Sequence, residues 1–284
     1  MTRETGDTAP LVIGELLRRA TGLFAERGID TARLDAELLL ADALDCERID
    51  LYTALLQPLN RDEVTRYREL VRRRAAREPV AYIRGRRGFR HLELEVSPDV
   101  LIPRPETEHL VDWALERAAD GARVLDWGTG SGAIALALAT ERPDLVVTAV
   151  DVSAEALAVA KGNDADGRVD WVLSDGTAAL ADRPFDLVVA NPPYLTDAEL
   201  AAVEPELGFE PRGALSSGPT GMECHEQVIR EAMHVLTPGG SLLIEVGLGQ
   251  AAAVADRMRQ AGLADVEVRQ DLAGVERMVG GRRP

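Results

Sequence analysis

Residues 188–197 read VVANPPYLTD. An apolar, strand-like run ends in an amide, two prolines and a phenol: Asn191, Pro192, Pro193 and Tyr194. Two consecutive prolines continue neither a helix nor a central strand, so the run stops there in a rigid corner. Such a corner suits group transfer to a poor nitrogen nucleophile. An amide or aromatic amine spreads its lone pair into the adjoining π system, and attack through that nitrogen must disturb the conjugation. The Asn191 side-chain oxygen and the Pro192 carbonyl can each accept one N–H of an –NH2 group. Two acceptors fix the nitrogen and favour the positive charge that builds as it attacks. Tyr194 offers a flat face to a planar amide or base. No strong general base is needed if the proton leaves after transfer. The plain alternative is a proline-rich turn after a strand, which the glycine loop upstream makes less apt.

That loop lies in VLDWGTGSGAIALALA, where Gly128, Gly130 and Gly132 fall in the turn between a strand and a helix. Glycine allows positive φ and close backbone approach, and a helix N-terminus presents unpaired N–H groups. Gly128, Gly130 and Ala133 also satisfy a loose dinucleotide fingerprint. Asp151 ends the next strand, 23 residues after Gly128, where a carboxylate can accept both ribose hydroxyls of a bound nucleoside. It can equally serve the helix that starts near Ser153. The spacing suits NAD and S-adenosylmethionine alike. Asp175, in LSDG after the third strand, lies where an adenine should reach. Asp126, just before the glycines, either holds backbone N–H groups or meets a cofactor amino group. Arg104 and Glu106, in PRPETE, either line the cleft or pin a linker by salt bridges. The histidines show no metal-ligand spacing, and Cys224-His225 is read as incidental. Trp113 and Trp171 are read as core.

The elements that must position these groups are legible from periodicity. Residues 11–77 carry helical patterns; Ile13, Leu16, Leu17, Ala20 and Phe24 form one stripe. Gly28 fits a stop, and Asp30 or Thr31 a cap for the next helix. FRHLELEVS alternates as a hairpin arm does, and SPDVLIPRPETE leads into a helix from about Glu106 to Ala119. Beyond Gly121, strands (RVLDW, LVVTAVD, VDWVLSD, FDLVVA, and SLLIEVG after a TPGG turn) alternate with helices, and a helix near 250–261 precedes two final strands, about 264–270 and 275–279. This predicts an α/β protein with a doubly wound, Rossmann-like sheet. The expected domains are a helical, substrate-recognising one over 1–84, a hairpin linker over 85–105 and a cofactor-binding one over 106–284.

Of the net charge of −16 over 284 residues, residues 101–284 carry −15, whereas residues 61–90 hold 11 arginines against 4 acids. An acidic main domain is a poor non-specific binder of phosphate backbones. The arginine band is either a solvated helix face or a docking surface. Lys161 is the only lysine. Two cysteines, Cys46 and Cys224, are too few for a disulfide framework. The start, MTRETGDTAP, lacks the apolar core of a signal peptide. A soluble, cytoplasmic protein is expected, with no metal, no membrane and no direct nucleic-acid partner.

Asn191-Pro192-Pro193-Tyr194 resembles the signature of methyltransferases that act on amino groups conjugated to π systems, among them N6-adenine methyltransferases and the glutamine N5-methyltransferases of peptide-chain release factors. PVAYIRGRRGF, LIPRPETEHLVDWAL, VLDWGTGSGAIALALA and FEPRGALSSGPTGME look like the latter, the HemK or PrmC family. The resemblance covers roughly residues 75–280. It implies a helical N-domain, a hairpin linker and a Rossmann-like domain using S-adenosyl-L-methionine. It further implies a substrate glutamine in the Gly-Gly-Gln motif of class I release factors. The cofactor loop then maps to Gly128, Thr129, Gly130, Ser131 and Gly132, the ribose acid to Asp151, and the substrate clamp to Asn191, Pro192, Pro193 and Tyr194. Catalysis falls to Asn191, Pro192 and Tyr194, and Asp126, Asp175, Gly176 and Asn191 complete the cofactor contacts. Trp127 stands where a smaller aliphatic is usual, and Gly176 where some members carry an aromatic. The rivals are an N6-adenine methyltransferase, an NAD-dependent oxidoreductase, and an idle cofactor-binding protein that only docks release factors.

Overall fold

The computed structural model describes residues 11–284. The polar stretch 1–10, expected to lack a signal-peptide core, lies outside the described residues. The chain divides into two compact units, Met1–Gly85 and Arg86–Pro284.

The first unit is helical: α1 (Ile13–Glu26), α2 (Ala32–Leu44), α3 (Asp50–Thr53), α4 (Arg61–Ala75) and α5 (Val80–Arg84). The stripe Ile13, Leu16, Leu17, Ala20 and Phe24 is the buried face of α1. Thr31 does precede α2, but neither it nor Asp30 caps it through a side chain. Its φ of −88° and ψ of 21° are not the extended backbone from which a cap residue reaches back. A capping box opens α4 instead, with Asn60 accepting from Glu63 N and Glu63 accepting from Asn60 N. Much of the arginine band is engaged within its own unit. Arg74 bonds Asp35 at 2.7 Å in the core, Arg84 bonds Asp42 at 2.7 Å, and Arg72 and Arg73 pair with Glu69 and Glu78.

The second unit begins with a hairpin, β1 (Arg86–Phe89) and β2 (Leu92–Glu95), antiparallel. Then follow α6 (Thr107–Arg117), β3 (Arg123–Trp127), α7 (Ala133–Glu141), β4 (Val146–Asp151), α8 (Ala154–Asn163), β5 (Val169–Leu173), β6 (Phe185–Ala190), α9 (Asp197–Leu200), α10 (Glu223–Val235), β7 (Leu236–Glu245), α11 (Ala251–Gln260), β8 (Ala264–Gln270) and β9 (Glu276–Arg282). The seven-stranded sheet runs β5-β4-β3-β6-β7-β9-β8 and is parallel except for β9. One face packs on α6, α7 and the hairpin residues Phe89 and Leu94; the other packs on α10 and α11. The strand order departs in opposite directions from β3 and β6, so a crevice opens at their carboxyl ends.

Two local expectations change. TPGG is not a separate turn. It lies within β7, opposite a register shift between Phe185 and Leu187, and such a bulge lets glycines sit inside a strand. The last strand extends to Arg282 because it pairs along both β7 and β8. Trp113 is fully buried, as expected of core. No helix among the described residues is long and apolar enough to cross a membrane.

Candidate active site

Register brings the two sequence motifs together. Trp127 of β3 pairs with Ala190 of β6, so Gly128 and Asn191 emerge side by side at the crevice. The loop after β3 is tied down from below and from one side. The Asp126 carboxylate is wholly buried and accepts from Thr129 Oγ1 at 2.6 Å and from Ala135 N of α7 at 3.1 Å. Burial pushes its acid up to about 7, and its Oδ1 has no partner among the described residues. Asp126 thus holds a backbone N–H, one of its two expected roles.

Asp151, at the end of β4, accepts from Gly130 N at 2.8 Å through Oδ2 and from Ser153 N at 2.9 Å through Oδ1. The cap of α8 is Ser153, whose Oγ accepts from Ala156 N. A Cβ on Gly132, at φ +85°, would lie 2.8 Å from Trp171 Cη2, so a side chain there would have to displace the indole.

Gly128, Gly130, Asp151, Asp175, Gly176 and Asn191 line one cleft of about 300 Å3. Thr129, Ser131, Gly132 and Asp126 do not line it; Thr129, Ser131 and Asp126 are buried. The two departures from the family pattern turn out to be linked. The Glu231 carboxylate of α10 accepts from Trp127 Nε1 and from Thr177 N, each at 2.9 Å. A Cβ on Gly176 would collide with that same carboxylate. The carboxylate that anchors the indole at 127 is therefore the one that leaves no room for a side chain at 176.

A second cavity, about 380 Å3, is lined by Asn191, Pro192, Tyr194, Arg104 and Glu206 among others. Asn191 belongs to both. Its Nδ2 donates to Thr107 Oγ1 at 3.1 Å. Tyr194 is mostly buried, and that burial raises its phenol above the usual range, so it stays protonated. The Tyr194 carbonyl accepts from Gln250 Nε2 at 3.0 Å, and Leu195 bridges to Leu215 and Ser217 through backbone bonds. Of the two roles expected of Arg104, the structure shows the ion pair, with Glu210 at 2.6 Å; it lines the second cavity and not the first cleft. Cys224 lines the first cleft, while His225 is buried against the Glu245 carbonyl.

Sequence reasoning missed Thr107, Glu231, Glu245 and Gln250. Thr107 stands inside the quoted PRPETE stretch; the others had no motif to mark them.

Residues 15–85 match the PrmC N-terminal domain, and residues 107–207 match the methyltransferase small domain. A release factor glutamine methyltransferase of Geobacter sulfurreducens is 42% identical over 273 residues, spanning 95% of this chain and 96% of its own. One from Burkholderia pseudomallei is 45% identical over 292 residues, spanning 99% of each. The fold is also that of a methyltransferase from Pyrococcus furiosus, 18% identical with a TM-score of 0.52, over 68% of this chain and 89% of that one. At such identity over nearly full length, the chain belongs to the release factor glutamine methyltransferase family.

Proposed function

We propose that the chain is an S-adenosylmethionine-dependent protein-glutamine methyltransferase that methylates the side-chain amide nitrogen, N5, of the glutamine in the Gly-Gly-Gln motif of class I release factors. One observation carries the reading: Asn191 lines both the glycine-walled cleft and the neighbouring cavity at Tyr194. A donor held in the first and an amide held in the second would meet at that residue.

The first cleft fits the cofactor. Its wall is bare backbone at Gly128, Gly130 and Gly176, and a carboxylate stands at its edge. Asp151 already accepts two backbone N–H groups, and each carboxylate oxygen retains a further lone pair for a ribose hydroxyl. Bound there, S-adenosylmethionine supplies a methyl group on a positively charged sulfur. Asn191 Oδ1 and the Pro192 carbonyl accept the two N–H groups of the substrate amide. Tyr194, neutral and rigidly seated, covers its planar face. The prolines keep these acceptors in place, so the site is ordered before the substrate arrives.

The N6-adenine reading shares the clamp, but residues 101–284 carry a net −15, which opposes a polyanion. NAD chemistry leaves the corner after β6 without a task. A translation-factor substrate supports a cytoplasmic enzyme. Labelled S-adenosylmethionine offered together with purified release factor, tRNA, rRNA and DNA tests this. The label should enter the release factor, at the Gly-Gly-Gln glutamine by mass mapping. Label in a nucleic acid instead overturns the assignment.

A further inference from the structure

Behind the clamp lies a buried carboxyl group with no part in the chemistry above. Glu245 ends β7, is 3% exposed, and its Oε2 has no hydrogen-bond partner among the described residues. Burial pushes its acid up to about 7, against the pull of a hydrogen bond with Thr107 and of Arg277. Thr107, at the start of α6, is also 3% exposed. Its Oγ1 accepts from Asn191 Nδ2 at 3.1 Å. A hydroxyl has one hydrogen to give, and toward an ionised Glu245, with which Thr107 shares a side-chain hydrogen bond, it can only donate it.

We propose that Thr107 and Glu245 are positioning residues that decide which way the Asn191 amide faces. An asparagine amide has two orientations of nearly equal shape and opposite chemistry. Turned one way, Oδ1 accepts from the substrate nitrogen; turned the other way, Nδ2 opposes it. An ionised Glu245 can only accept, so Thr107 must donate to it and accept from Asn191. Nδ2 is thereby committed to the rear and Oδ1 to the front. A protonated Glu245 can itself donate, and the chain then loses its direction. Arg277 of β9 and Arg104 ahead of α6 favour the ionised form, Glu106 opposes it, Tyr194 faces it from the corner after β6, and His225 of α10 sits at its backbone carbonyl. The inference rests on reading Asn191 as the acceptor for the reacting nitrogen.

Thr107→Val keeps the shape and removes the hydroxyl; Thr107→Ser keeps the hydroxyl. With purified release factor near pH 8, the valine variant should lose roughly tenfold or more in kcat. Its KM for the release factor and its affinity for S-adenosylhomocysteine should stay within about twofold, because the loss is confined to the transition state. The serine variant should recover most of the kcat. In NMR spectra the Asn191 side-chain NH2 signals, identified by their loss in Asn191→Asp, should shift in the valine variant and return in the serine one. A folded valine variant with wild-type kcat, or with unmoved Asn191 signals, overturns the proposal. Should Thr107→Val not fold, Glu245→Gln takes its place with the same expected loss, since its amide can donate as well as accept. If the wild-type enzyme leaves the release factor unlabelled, the functional reading fails, and the NMR result still decides the orientation of Asn191.

Discussion

At the residue scale the site is an arrangement of acceptors around one amide. Asn191→Ala removes an acceptor whose value lies in the transition state. Methyl transfer should fall by about 10²–10³, with S-adenosylhomocysteine affinity by calorimetry little changed; activity within a few-fold of wild type would remove Asn191 from the chemistry. The buried acids give a second test. Glu245 is raised from an ordinary 4.5 to about 7 by burial. Its folded form prefers the proton, so its favourable contribution to stability is whole below the ordinary carboxyl range and is lost as pH rises through about 7. Glu245→Gln cannot ionise. Between about pH 5 and pH 8 its stability relative to wild type should rise, by roughly 1–3 kcal/mol. Denaturant melts at the two pH values check this, and a constant difference would mean that Glu245 does not titrate there. Asp126, raised to about 7 by the same cause, is present in both proteins and cancels in the comparison.

At the scale of elements, the loop after β3 is shaped by where its glycines touch their surroundings. Gly128 and Gly132 both have positive φ, +73° and +85°, but only Gly132 faces a wall, with Trp171 Cη2 at 2.8 Å from a built Cβ. Alanine at either position bears a left-handed backbone cost of roughly 1–2 kcal/mol. At Gly132 it must also displace a tryptophan whose Nε1 is fixed to Asp164 at 3.0 Å. Gly132→Ala should therefore lower the melting temperature more than Gly128→Ala. The opposite order in thermal melts would contradict the close approach. The alternation of strands and helices was plain in the pattern except at α10, and the hairpin was plain as well. The TPGG segment was not, because a bulged strand carries the same residues as a turn.

At the scale of the whole molecule, charge separates the two parts of the chain: net +7 over residues 61–90 against −15 over 101–284. We propose that the helical unit docks the release factor, since a short loop alone offers less surface than specific protein recognition usually buries, about 1,200–2,000 Å2. The ion pairs within the unit decide which arginines test it. Arg72 and Arg73 pair with Glu69 and Glu78 on their own unit, so reversing them disturbs the helix as well as the surface. Arg66 and Arg68 are exposed on α4, and neither has an ion-pair partner among the described residues. Arg66→Glu with Arg68→Glu should raise KM for intact release factor and leave kcat nearly unchanged. Added salt should reproduce the effect in the wild type. An unchanged KM in the folded double variant would return these arginines to a solvated face.

The strand order along the chain, the glycine turn, the acid at the end of β4 and the rigid corner at Asn191 were legible in the sequence, whereas α10 and the short helices α3, α5 and α9 were not. The legible features are local: each depends on spacing along the chain, on backbone preference, or on residues within one turn. Only the tertiary structure decided what stands behind them. Thr107 bonds Asn191 across 84 residues, and Glu231 bonds Trp127 across 104. Gln250 reaches the Tyr194 carbonyl across 56. Such side-chain bonds have no period and no fixed offset, because they form between elements that only the sheet order makes neighbours. The same holds for Gly176, whose lack of a side chain has a cause only once α10 has brought Glu231 against it.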